Sequence, residues 1–133
     1  MPHRHRLLNL GLIVFLGCLL VLTGRAPRMS GPFHDLRVDG VALGFTREEV
    51  GRLGPADRPG WESRPDGTLV RCSPGGRVIA VEGRRLSDGD RGLHPADLGE
   101  PDRVEGAARH YEALRLTVTI RPGRPPLFRL GND

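Results

Sequence analysis

Residues 40–55 read GVALGFTREEVGRLGP, and this stretch predicts the fold most strongly. Thr46 and Glu49 have the spacing of a capping box, in which the Thr hydroxyl accepts a hydrogen bond from the third helical amide and the Glu carboxylate accepts one from the amide of the cap. The Gly-Pro pair at 54–55 is a typical stop signal. The sequence therefore predicts a helix of about two turns over 47–53.

A β-hairpin is predicted after this helix. Segments 68–73 and 77–82 have the pattern of strands, and the Pro-Gly pair at 74–75 fits the central positions of a type II turn. Cys72 has no second cysteine within the domain with which to form a disulfide. It is therefore predicted to be a small buried strand residue.

A second hairpin is predicted near the C-terminus. Segment 110–121 shows strict alternation of apolar and polar residues, which is typical of a half-buried strand. The Pro-Gly pair at 122–123 repeats the turn chemistry of the first hairpin. Segment 127–130 returns as a short strand, and the prolines at 125–126 predict that this strand lies at an edge of the sheet.

An internal repeat connects the two hairpins. Segment 53–58 matches 98–103 at a spacing of 45, whereas the Pro-Gly turns and the glycines after the strands match at a spacing of 48. The predicted repeats are residues 40–83 and 87–131 of a domain that spans 36–133. Two such units are expected to share one small antiparallel sheet of two hairpins, with one or two short helices packed on one face, so the predicted fold class is α+β. The expected shared core contains Ile79, Val81, Leu116 and Val118.

The stretch 40–55, followed by a hairpin that ends in Gly-Arg-Val-Ile, resembles the pattern G-x-x-x-G-M-T-x-x-E-V-x-x-x-L-G-x-P, then G-x-V, of SmpA/OmlA-type envelope lipoproteins. The similarity covers about residues 40–82. It implies a small α+β domain with a role in outer-membrane protein assembly, and the tandem unit is similar to that of secreted β-lactamase inhibitor proteins. The motif consists of a cap, a hydrophobic staple between Phe45 and Val50, and a helix stop, so the resemblance implies no functional residue.

The first 24 residues have the pattern of a targeting segment. A short basic stretch with Arg4 and Arg6 precedes the apolar run LLNLGLIVFLGCLLVL at 7–22. As a helix, this run would span about 24 Å, a little less than the hydrocarbon core of a bilayer at about 30 Å. Segment 1–24 is therefore predicted to be a signal peptide or a transmembrane anchor, followed by a Pro/Gly-bearing tether over 25–35.

Three fates of this segment are open. A retained single-pass anchor with its N-terminus in the cytoplasm is favoured, and it would place the C-terminal domain in the cell envelope outside the cytoplasm. Alternatively, Cys18 follows Phe-Leu-Gly, which resembles a weak lipobox, and the chain would then be a lipoprotein. In the third case a signal peptidase cleaves after Ala26 and the domain is secreted.

The basic excess does not predict a nucleic-acid partner. The chain has 20 basic residues, all of them arginine, against 16 acidic residues, for a net charge of +4. Because the arginines are scattered among the acidic residues, without a run of five or six like charges, they are interpreted as solvated surface residues. The predicted partners are the membrane, through residues 7–22, and a protein.

No catalytic, metal-binding or cofactor-binding motif is recognised, so no residues are assigned to these roles. The serines lack a G-x-S-x-G elbow, the histidines lack ligand spacing with Cys72, and no glycine-rich stretch fits a phosphate or dinucleotide loop. Trp61 is the one candidate contact residue. A tryptophan in a Pro/Gly loop either covers the edge of a sheet or anchors a protein partner, since tryptophan is enriched at interface hot spots.

These observations predict a non-enzymatic, membrane-tethered envelope domain that acts by macromolecular binding or assembly. Two alternatives stay open. One is an accessory subunit or small enzyme of unknown chemistry whose site is completed by a partner chain. The other is an orphan structural protein without a dedicated ligand.

Overall fold

A computed structural model of the chain describes residues 33–131. The predicted N-terminal apolar helix, and all of the tether except its last three residues, lie outside this range. In chain order the strands are β1 (Leu36–Val38), β2 (Gly54–Pro55), β3 (Glu62–Ser63), β4 (Leu69–Cys72), β5 (Val78–Gly83), β6 (Leu86–Asp88), β7 (Arg91–Leu93), β8 (Arg103–Glu105), β9 (Ala108–Tyr111), β10 (Leu116–Thr119) and β11 (Leu127–Gly131). The helical elements are α1 (Arg47–Val50) and the 3₁₀ turns η1 (Pro95–Leu98) and η2 (Glu112–Leu114).

The strands form two antiparallel sheets. The large sheet has the order β2-β3-β4-β5-β11-β10-β9-β8, and the small sheet has the order β1-β6-β7. Strand residues make up 42% of the described chain and helical residues 11%, so the predicted α+β class, with helices packed on a sheet, is wrong. No helix within residues 33–131 is long and apolar enough to cross a membrane.

The predicted capping box is confirmed, but the helix is shorter than predicted. The Glu49 amide donates to Thr46 Oγ1 at 3.3 Å, and the Thr46 amide donates to Glu49 Oε1 at 3.1 Å. The helix nevertheless ends at Val50, because Gly51 adopts φ 98°. Val50 is the only buried residue of α1, so the helix has no apolar face to pack on the sheet. A cap fixes where a helix starts and leaves its length to the residues that follow.

The first hairpin forms at the predicted position with a different turn. The Gly76 amide donates to the Ser73 carbonyl at 2.9 Å, and Gly76, rather than Gly75, has a positive φ of 80°. A type II turn requires positive φ at its second central residue, so the predicted turn type is wrong. Cys72 lies half-buried on β4, where burial raises the pKa of its thiol.

The register of β5 shifts opposite Arg71 and Cys72, which pair with Ala80 and Val78. This bulge leaves Ile79 without a partner on β4, and its side chain is 36% exposed. The prediction that Ile79 belongs to the shared core is therefore wrong. Val81, Leu116 and Val118, the other predicted core residues, are buried.

The predicted strand over 110–121 is interrupted. It contains the end of β9, the 3₁₀ turn η2 and strand β10, and Arg115 adopts a left-handed conformation with φ 54°. The turn folds the alternating segment back on itself, so that Tyr111 and Leu116 pair across β9 and β10. After the turn, apolar side chains again alternate toward the same face of the sheet. The sequence pattern is therefore continuous across the turn, and it predicted a single strand.

Strand β11 lies at the centre of the large sheet, between β5 and β10, so its predicted edge position is wrong. The prolines at 125–126 come before the strand, and their missing amides therefore remove no hydrogen bond from its ladder. The pairing of β5 with β11 places both hairpins in one sheet.

One face of the large sheet carries an apolar row. Cross-strand partners on β4, β5, β11, β10 and β9 are all buried: Val70, Val81, Leu130, Leu116 and Tyr111. The small sheet covers this face, because a Cβ atom at Gly83 would lie 2.9 Å from Cγ1 of Val38 on β1. The main core therefore lies between the two sheets.

The pairing of β5 with β11 has an internal symmetry. A shift of 48 residues carries Ala80 onto Phe128 and Gly83 onto Gly131. Under that shift the pair Ala80–Gly131 becomes the pair Phe128–Gly83, and both pairs are present in the sheet.

The same shift relates the caps of the two short helical elements. It carries the cap Thr46 of α1 onto the cap His94 of η1, and the terminal Gly51 onto Gly99. The structural counterpart of Leu98 is accordingly Val50, three residues before the residue matched in the sequence. The duplication of residues 40–83 and 87–131 stays a prediction. It would account for the symmetric pairing of β5 with β11 and for the matching cap positions.

Candidate binding face of the large sheet

The face opposite the apolar row carries a row of mostly polar side chains. Adjacent strands place in register one residue each from β4, β5, β11, β10, β9 and β8: Leu69, Glu82, Arg129, Thr117, His110 and Arg103. On β4, β5, β11, β10 and β9 each of these residues adjoins a member of the apolar row, and successive strand residues point to opposite faces. We call this row, together with Arg58 and Trp61, the polar face.

Trp61 lies on the polar face immediately before β3. Its ring is contacted by two guanidinium groups, with the central carbon of Arg58 at 5.0 Å and that of Arg129 at 5.5 Å from the ring centroid. Both distances lie in the range of cation–π attraction. Trp61 is only 7% exposed, because these neighbours cover it.

Glu82 supplies negative charge beside this ring. Arg58 Nη1 donates to Glu82 Oε2 at 2.5 Å, and the Glu82 residue is 9% exposed. A buried carboxylate is costly unless it is paired and hydrogen-bonded. Arg58 therefore satisfies the Glu82 carboxylate and at the same time covers Trp61.

A second cluster of polar side chains lies at the other end of the row. Thr117 Oγ1 is 3.2 Å from His110 Nδ1, whereas His110 Nε2 is 3.8 Å from Glu105 Oε2. The other Glu105 oxygen pairs with Arg103 Nε at 2.9 Å. A hydroxyl, an imidazole and a carboxylate are thus arranged in sequence, but the carboxylate is beyond hydrogen-bond distance of the ring. All three side chains can donate or accept hydrogen bonds at this end of the row.

A cavity of about 540 Å³ opens beside Asp39 at the small sheet. The Asp39 carboxylate is already engaged, since it accepts hydrogen bonds from Thr68 Oγ1 at 2.7 Å and from the Arg85 amide at 2.9 Å. Asp39 also adopts a left-handed conformation with φ 51°. These contacts join Asp39, which follows β1, to the residue before β4 and to the connection between β5 and β6, so Asp39 has a structural role.

The sequence indicated Trp61 alone as a contact residue, because tryptophan in a Pro/Gly loop is a candidate interface anchor. The structure places Trp61 on the polar face, although it is covered rather than projecting. The pairing of Glu82, Arg129, Thr117 and His110 was missed, because it follows from the register of β5 with β11 and not from any local spacing. Across residues 33–131, no group of three or more His, Cys, Asp or Glu side chains is placed to hold a metal ion.

Comparisons with family models, with curated proteins and with solved structures find no match to this chain. The resemblance to SmpA/OmlA-type lipoproteins therefore stays a prediction.

Proposed function

We propose that this chain is a membrane-tethered domain of the cell envelope that binds a macromolecular partner through the polar face. The observation that carries the proposal is the continuous row from Glu82 to Arg103 across five neighbouring strands. It offers cationic, anionic and neutral hydrogen-bonding groups on a rigid sheet, next to a tryptophan with its guanidinium neighbours. The row carries Arg103 and Arg129, and arginine is one of the residue types enriched at interface hot spots.

The distribution of charge supports a specific partner over a general attraction to nucleic acid. Residues 1–32 contain four arginines and no acidic residue, so the net charge of +4 belongs to this segment alone. The rest of the chain holds equal numbers of arginine and acidic residues. The domain therefore lacks the net positive charge that drives non-specific binding to phosphate backbones. Arg4 and Arg6 precede the apolar run, where basic residues favour an N-terminus in the cytoplasm.

In-cell photo-crosslinking tests the proposal. A benzophenone amino acid is placed in the full-length chain at Thr117 or Arg103 of the polar face, and at Glu48 of α1 as a matched exposed control outside this face. We expect irradiation to give the same discrete adduct from both polar-face positions and none from Glu48.

The proposed binding role is wrong if the polar-face positions give no adduct, or if all three positions give the same pattern. Fractionation of the same cells tests the tether independently. Recovery of the full-length chain in the soluble cytosolic fraction would refute the membrane-tethered part of the proposal and leave the crosslinking result to be judged on its own.

A further inference from the structure

Three arginines line a small cavity at the end of the β10–β11 hairpin. The cavity has a volume of about 60 Å³, and its lining residues are Arg84, Thr119, Arg121, Arg124, Pro125 and Leu127. No acidic residue lines it. Strand register and the hairpin turn bring these groups together, and of the two only the turn is evident in the sequence.

Strand register brings Arg84 to the β10–β11 hairpin. Gly83 pairs with Phe128, so Arg84, the next residue after β5, emerges beside the start of β11. Arg84 Nη1 donates to the Pro125 carbonyl at 3.3 Å, which holds the guanidinium against the turn.

The turn itself supplies the other two arginines. The Arg124 amide donates to the Arg121 carbonyl at 3.2 Å, and Gly123 has φ 71°, as a type II turn requires at this position. The first and last residues of such a turn are close together, so both side chains start from the same end of the hairpin.

The charge of this cluster is not neutralised within the described part of the chain. None of the three guanidinium groups takes part in an ion pair there. From Ala113 to Gly131 the sequence contains four arginines and no acidic residue. Three like charges around one cavity repel one another, and a bound anion would remove that repulsion.

The hairpin does not need these arginines in order to form. The corresponding hairpin of the first half also turns at a Pro-Gly pair, yet it has Ser73 and Gly76 at the two positions occupied here by Arg121 and Arg124. A type II turn depends on its two central residues, here Pro122 and Gly123, so the arginines at its first and last positions are additional to its structural requirements.

We propose that Arg84, Arg121 and Arg124 form a binding site for the phosphate group of an anionic ligand. Guanidinium groups match phosphate oxygens in charge and geometry, and several of them favour a phosphate over a single carboxylate. The cavity admits a compact group of a few heavy atoms and is well below the usual size of a pocket for a whole small molecule. Free phosphate and the headgroup of a phospholipid share this chemistry.

Phosphorus NMR titration of the full-length chain in a phosphate-free maltoside detergent tests the site. The probes are inorganic phosphate and short-chain phosphatidylglycerol, each added separately. We expect at least one probe to bind saturably, and the double variant Arg121→Gln/Arg124→Gln to weaken that binding by about tenfold or more, since charged hydrogen bonds are lost. Arg52→Gln, which removes a charge at another exposed arginine, should leave the affinity unchanged.

Saturable binding of inorganic phosphate assigns the site to the free ion, and saturable binding of the lipid alone assigns it to a headgroup. The proposal is overturned if neither probe saturates, or if the double variant and Arg52→Gln weaken binding equally. Because the substituted residues are exposed, the variants should retain the parent's thermal midpoint by circular dichroism. If the double variant does not, Arg84→Gln alone must show the same loss of binding.

Discussion

Arg58 has two roles on the polar face, since it pairs with Glu82 and stacks on Trp61. Replacing Arg58 by Ala leaves a carboxylate that is 9% exposed without its partner. We expect a loss of about 1–2 kcal/mol in the free energy of unfolding, less than for a fully buried pair because Arg58 is partly exposed to solvent. Urea titration followed by the fluorescence of the single tryptophan measures the loss.

The control for this prediction is Arg52→Ala, which removes an exposed arginine that has neither contact. An equal loss in both variants would show that the Glu82 pair contributes nothing specific. The Arg58 variant should also make Trp61 more accessible to acrylamide, because one of the two groups that cover the ring is removed.

Tyr111 makes the stability of the domain depend on pH in the alkaline range. It is 2% exposed, its hydroxyl donates to the Gly99 carbonyl at 3.2 Å, and burial raises its pKa. The ionised form is thus favoured in the unfolded chain. The stability that Tyr111 contributes is fully present below its unfolded pKa of about 10. This contribution is lost as the pH rises through the higher pKa of the folded state.

Because Tyr111 is the only tyrosine of the chain, phenolate absorbance reports its titration directly. We expect the titration midpoint of the folded chain to lie at a higher pH than that of the urea-unfolded chain. We also expect Tyr111→Phe to lose less stability at alkaline pH than the parent. Identical midpoints in the folded and unfolded chains would contradict the buried position of Tyr111.

At the scale of elements, Gly83 is the point at which β5 passes under the small sheet. A Cβ atom at this position would overlap the Asp39 carboxylate and lie 2.9 Å from Val38 Cγ1. We expect Gly83→Ala to destabilise the domain by about 3 kcal/mol, since the overlap requires backbone movement in a packed region. Gly75→Ala is the control, because its Cβ atom would meet nothing closer than 3.7 Å. Equal urea midpoints for the two variants would contradict the packing of the sheets.

Local signals predicted the start of α1 and the position of the first hairpin, because a cap and a turn each depend on a few adjacent residues. They did not predict that α1 ends after Val50, since Gly51 is compatible with continuing or stopping. The break at Arg115 was also missed, because alternation on the two sides of a turn stays in phase. Both errors concern how long an element continues, which tertiary contacts decide.

At the scale of the whole molecule, the pairing of β5 with β11 decides both the fold and the candidate site. It carries the polar row from Glu82 to Arg129, and it brings Arg84 to the cavity at the second turn. Neither juxtaposition has a sequence signature, since the paired residues are more than 40 positions apart. The apolar pattern predicted that both hairpins bury one face, but the prolines at 125–126 led to the wrong prediction that the central strand β11 lies at an edge.

The central claim is that β5 and β11 are neighbours in one sheet. The most direct measurement is nuclear Overhauser spectroscopy on the isotopically labelled full-length chain in detergent micelles. The structure predicts cross-strand contacts between the backbones of Glu82 and Arg129 and between those of Val81 and Leu130, with amide protons protected from exchange along both strands. Contacts of β5 with β4 alone, together with rapid exchange of the β11 amides, would contradict the claim and remove the basis of the polar face.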